Sequence, residues 1–250
     1  MKGQGDIFKK VYESFRNMDG NFHILEHRVP VEQQLEYFKY SSELRKRIRE
    51  MNDVHFEQCV DDLEDEKITK IQKRLALCFL ALSKQVRAYR VLESYVQQQP
   101  DEELINWAYM ALMESRITLE SELSGEKQIY ISTGLGGKGE KIRFYALIMS
   151  SGGISFADYQ REVIEKEFGY AMTKNNCEIE RLTIGEKFVE LVFLISIKSD
   201  LKRILDDVVR ECNYYGNFLS ETFTVTNVKE LSREDVDQIV EKHGNNKADS

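Results

Sequence analysis

Only two prolines, four cysteines and four histidines occur among the 250 residues, and each scarcity narrows what the chain can be. With 42% apolar residues and so little proline, the composition is that of a chain that buries a core. Cys59, Cys78, Cys177 and Cys212 are scattered, with no Cys-x-x-Cys pair, unlike the tight framework of a small disulfide-rich secreted domain. Reduced thiols in a cytoplasm are the expectation. No signal-peptide core is visible, because Asp6 precedes any apolar stretch, and the longest apolar runs, 75–82 and 191–195, fall far short of the ~20 residues that cross a bilayer. No membrane contact is expected. Positive charge is also short: the net charge is -8. Residues 1–124 carry 18 Lys and Arg against 22 Asp and Glu, and 125–242 carry 16 against 20, so neither half is basic. Nucleic acid is therefore not expected as a partner.

Nucleophilic chemistry finds little footing. There is no Gly-x-Ser-x-Gly elbow, and every histidine lies outside 126–242, so Cys177 and Cys212 have no histidine in their own region. The segment His23-Ile24-Leu25-Glu26-His27 matches the His-x-x-Glu-His of inverted zinc peptidases. On a helix it would set two imidazoles one turn apart beside a carboxylate, as zinc requires. Gly20-Asn21 and Pro30, however, confine any such helix to less than about three turns, and a helix over 6–18, not a strand, leads into it. A short link with solvent-facing histidines is expected there, with no metal and no cofactor.

The first half has helical spacing throughout. Ile7, Val11, Phe15 and Met18 mark one helix; Leu35 and Phe38, then Leu44, Ile48 and Met51, mark a longer one. Ile68, Ile71, Leu75, Phe79 and Leu82 line another face, and Val86, Tyr89, Leu92 and Val96 the next, which stops at Pro100. Asp101 caps a helix whose stripe is Leu104, Trp107, Ala108, Ala111, Leu112 and Leu119. The pair 86–98 and 101–123, with Pro100-Asp101 between them and small alanines at the contact, resembles a HEAT-type repeat, while a plain helical bundle accounts for the same pattern. Arg45, Lys46, Arg47 and Arg49 spread around their helix and read as a solvated face.

The second half alternates strands and helices. Strands are expected at 128–132 and 141–149, joined by the glycine-rich loop 134–140, then a helix from Ser155 to Asn175 opened by a Ser155/Asp158 capping box. The same order recurs as strands at 177–184 and 187–197 and a helical face running from Leu201 to Leu219. A strand at 222–226 and a helix after Ser232 close the chain. Asn213-Tyr214-Tyr215-Gly216-Asn217 reads as a helix end with Gly216 as its cap, its tyrosines either lining a cleft or, as the default, packing into the core. The expected fold is α+β: an all-helical region 1–124, HEAT-like or bundle, then an antiparallel-rich sheet over 125–242 with helices on one face, and a tail at 243–250.

One loop stands out. Gly134, Gly136, Gly137 and Gly139 allow backbone amides to close on an anion, and Lys138, Lys141 and Arg143 add positive charge. It is no Walker loop, since Gly139 follows Lys138, and no dinucleotide fingerprint, since a strand follows it. The expected function is a non-enzymatic adaptor contacting a protein partner through the helical region and this loop. Two alternatives stand beside it: a phosphorylated small molecule held at the loop, and RNA or the ribosome met through Arg45–Arg49 and Lys138–Arg143.

Overall fold

The computed structural model describes residues 21–46, 53–98, 101–126 and 128–245. Described residues up to Gly134 form one compact unit, and those from Leu135 onward form a second. The helix expected over 6–18 and the basic residues Arg47 and Arg49 lie outside the described residues.

The first unit runs β1 (Asn21–Ile24), α1 (Val31–Arg45), α2 (Asp53–Glu64), α3 (Lys70–Leu82), α4 (Val86–Gln97), α5 (Glu102–Ser124) and β2 (Gln128–Ile131). Local chemistry sets the helix limits. The Thr69 hydroxyl accepts from the Gln72 N–H while the Gln72 side chain accepts from the Thr69 N–H, a reciprocal cap that opens α3. The Asp101 carboxylate accepts from Leu104 N–H to open α5, and Gly125, left-handed at φ 66°, ends it. The core joins Tyr37, Leu77, Leu80, Leu92, Trp107 and Met110. The region is helical as expected, with one exception: β1 pairs in parallel with β2, Asn21 opposite Gln128 and Ile24 opposite Ile131.

That pairing corrects the expected hairpin of 128–132 with 141–149. The second unit builds its sheet without β2, from β3 (Gly137–Lys138), β4 (Lys141–Ser150), β5 (Glu178–Ile184), β6 (Phe188–Ser196) and β7 (Leu219–Thr226). All pairings are antiparallel: β6 lies between β4 and β5, while β3 and β7 share the far edge of β4. α6 (Asp158–Lys174) connects β4 to β5 and α7 (Leu201–Asn213) connects β6 to β7. This is the split β-α-β arrangement of ferredoxin-like sheets. Burial of both faces of β4 and β6 explains their near-continuous apolar runs. Ala146, Ile148, Leu191 and Phe193 face Ile164, Phe168, Leu205 and Val208 of α6 and α7. Tyr145, Leu147, Met149 and Val192 face the other way, toward Leu135 and Val236 of α8 (Arg233–Asn245).

Two ends differ from the sequence pattern. α6 opens at Asp158 with the Gln160 side chain accepting from Ala157 N–H, while the Ser155 hydroxyl donates to Glu186 Oε1 instead of capping. α7 stops at Asn213, and Leu219 already belongs to β7. The Asn213 side chain fastens that turn, donating to Leu219 O at 2.9 Å and accepting from Leu219 N–H at 2.8 Å.

Candidate functional site

The glycine-rich segment is divided between the two units. Gly134 ends the first, and Leu135 is buried among Tyr145, Leu147 and Val236 of the second. Gly136 and Gly137 are buried, and the exposed part is Lys138 with the tight β3–β4 turn at Gly139 and Glu140. Gly139 is at φ 58° and Glu140 is not left-handed, the pattern of a II′ turn with glycine first. The cations are engaged by acidic and polar neighbours. Lys138 Nζ lies 3.0 Å from Glu178 Oε1, and Lys141 Nζ donates to Asn176 Oδ1 at 3.4 Å. Arg143 grips Glu180 with two nitrogens, Nη2 at 2.7 Å from Oε1, and donates from Nη1 to Leu135 O at 2.7 Å. A bulge between Ile179 and Arg181 leaves Glu180 as the extra residue of β5, and its carboxylate meets that guanidinium across β6.

The five-residue His-x-x-Glu-His match is not helical. His23 sits on β1, its Nε2 2.7 Å from Gln128 Oε1 and 2.9 Å from Glu120 Oε2. His27 donates from Nε2 to Asn106 Oδ1 at 3.0 Å and stacks on Tyr109 at 3.8 Å between centroids. Both rings are half-buried and separately partnered, which corrects the solvent-facing link. Among the described residues, no group of three or more His, Cys, Asp or Glu is placed to hold a metal. Burial pushes the Cys59 thiol up to about 11 and those of Cys78 and Cys212 to about 12, so none is a ready nucleophile.

Exposed aromatic surface gathers where α7 ends. Tyr214 is 88% exposed and Tyr215 52%, their rings edge-to-face at 5.9 Å between centroids. Tyr159, on the first turn of α6, is 55% exposed, and its hydroxyl accepts from Gln160 Nε2 at 3.2 Å. The two helix ends are brought together by Phe156 and Phe218, buried edge-to-face at 6.2 Å, and by Ser151 N–H donating to Phe218 O at 2.8 Å. Gly216, at φ 145°, and Asn217, at φ 51°, carry the chain from Tyr215 to Phe218. The tyrosines therefore stand exposed on a fixed turn, not in the core, the default expected for them.

No family model and no curated protein matches the sequence, so the HEAT-type resemblance of 86–123 has no family match behind it. Solved structures match part of the chain. A proposed transposase from Deinococcus radiodurans R1 is 16% identical, with a TM-score of 0.37, covering 43% of this chain and 94% of that one. A REP-associated tyrosine transposase bound to a REP hairpin is 8% identical, with a TM-score of 0.31, covering 40% of this chain and 62% of that one. At these values the likeness concerns the partial trace of the chain. The expectation of a non-enzymatic adaptor that does not meet nucleic acid is not borne out: of these two solved chains, one is described as a proposed transposase and the other as a transposase bound to a REP hairpin.

Proposed function

We propose that the second unit binds unpaired bases of DNA by stacking them on Tyr214 and its neighbours Tyr215 and Tyr159. The observation that carries this reading is the exposure of Tyr214 and Tyr215 at the anchored end of α7, where a folded protein has no packing use for two aromatic rings. Every base has a π-face, and stacking on an aromatic side chain contributes about 1–3 kcal/mol per base without regard to sequence. Because Tyr214 and Tyr215 stand at 86° to one another, they do not stack face to face, and Tyr214 is 88% exposed.

Acidic composition shapes the mode of binding. Arg161 donates to Ile184 O at 3.0 Å and Arg210 to Asp207 Oδ1 at 2.6 Å, so each basic residue nearest the tyrosines in sequence gives part of its donor set to a protein acceptor. Binding then draws on bases more than on phosphates, and its salt dependence is shallow, at most about one phosphate equivalent in slope. The test is a titration of labelled single-stranded and hairpin oligonucleotides against a blunt duplex of the same length. Preference for unpaired bases with a weak salt slope supports stacking. A steep salt slope, or equal affinity for the duplex, removes it.

A further inference from the structure

The start of α6 carries a relay of polar groups that stacking by itself does not use. Gln160 is the third residue of that helix and is half-buried. Its Oε1 accepts from Ala157 N–H at 2.9 Å, and its Nε2 donates to the Tyr159 hydroxyl at 3.2 Å. The direction of the relay is fixed by chemistry. A backbone N–H can only donate, so the amide oxygen of Gln160 must face it, and the amide nitrogen is then the end that meets Tyr159. The Tyr159 oxygen therefore acts as an acceptor toward the protein. Among the described residues, its own proton is given to no acceptor.

The place of this hydroxyl matters as much as its polarity. A Cβ on Gly216 would lie 3.6 Å from it, and Gly216 directly follows Tyr215. The unspent O–H thus stands at the turn that bears the exposed tyrosines, on a side chain that is itself exposed. Glycine at 216 leaves the oxygen without the contact that a side chain there would make.

We infer that Gln160 is a positioning residue that makes Tyr159 a hydrogen-bond donor to the edge of an unpaired base, an inference that rests on the stacking reading. A base held at this turn brings ring nitrogens or carbonyl oxygens as acceptors, and every base has at least one. The donor therefore adds affinity without restricting sequence. In a duplex the Watson–Crick edge is spent on the opposite strand, so the same donor adds to the preference for unpaired bases.

The full chain is titrated with a labelled hairpin bearing a thymine loop, in a cycle of Tyr159→Phe, Gln160→Glu and the double variant. A glutamate at the third helical position still accepts from Ala157 N–H, so α6 keeps its cap. A carboxylate has only acceptors, however, so the Tyr159 proton turns toward it and is no longer available to DNA. Each single variant is expected to weaken binding about fivefold, the worth of one hydrogen bond, and the double variant by no more than Tyr159→Phe alone. With the loop thymines replaced by difluorotoluene, which has their shape without strong acceptors, wild type and Tyr159→Phe should bind alike. Undiminished affinity in either single variant overturns the inference. So does a loss from Gln160→Glu that persists in full in the Tyr159→Phe background, the mark of added negative charge, or a loss from Tyr159→Phe that persists against difluorotoluene. If Tyr214→Ala/Tyr215→Ala loses binding while Tyr159→Phe keeps it, this inference falls and stacking stands; if wild type does not bind, both fall.

Discussion

A Cβ placed on Gly216 would stand 3.6 Å from the Tyr159 hydroxyl, so the turn after α7 and the start of α6 meet at this glycine. Its φ of 145° is one that a side chain rarely adopts. Gly216→Ala is therefore expected to cost about 1–3 kcal/mol in urea denaturation, from backbone strain and not from lack of space. An unchanged transition would mean that the turn is free to take another conformation.

Gly185 is required for a different reason. A Cβ there would lie 2.5 Å from the ring of Phe188, which is buried beneath the β5–β6 turn. Gly185→Ala should destabilise the second unit by about 1–3 kcal/mol through overpacking. The paired change Gly185→Ala/Phe188→Leu should recover part of that loss. Additive losses in the double variant would show that the ring contact is not the cause.

The Glu114 carboxylate collects donors from Tyr37, Ser41 and Arg45 inside the first unit. Glu114→Ala strands the Tyr37 and Ser41 hydroxyls, both buried, and is expected to cost about 3 kcal/mol. Tyr37→Phe removes one donor and leaves the carboxylate held by the others, so about 1 kcal/mol is expected. Equal losses for the two variants would contradict this division.

Burial holds His27 below the ordinary imidazole value of 6.5, with Asn106 opposing the shift. The folded chain thus favours the neutral ring, and the unfolded chain takes up a proton first as pH falls. This contribution to stability is complete above pH 6.5 and is lost as pH drops below it toward the folded-state value. His27→Gln should flatten stability against pH in that window, as followed by thermal melts. A variant profile parallel to wild type would assign the dependence to other groups.

The strands β4, β5 and β6 were legible because alternation or continuous apolar character reports burial directly, and their expected limits differ from the observed ones by about a residue. β1 was not: four residues carry little periodicity, and its partner, β2, enters from the opposite end of the unit. The glycine-rich segment was singled out by composition, but composition does not reveal that Glu178 and Glu180 reach Lys138 and Arg143, since that depends on sheet order and on a bulge. Tyr214 and Tyr215 were visible as a helix end. Their exposure was not, because tyrosine suits a core and a wet surface equally well.

Fluorescence anisotropy of a labelled hairpin with an unpaired loop, titrated with wild type and with Tyr214→Ala/Tyr215→Ala, addresses the stacking platform most directly. Tyr170, 65% exposed on α6 and about 16 Å along the helix from Tyr159, serves as the control. Stacking predicts a loss of at least about tenfold for the double variant and none for Tyr170→Ala. Wild-type binding that the double variant retains in full, or no binding by wild type at all, would contradict it.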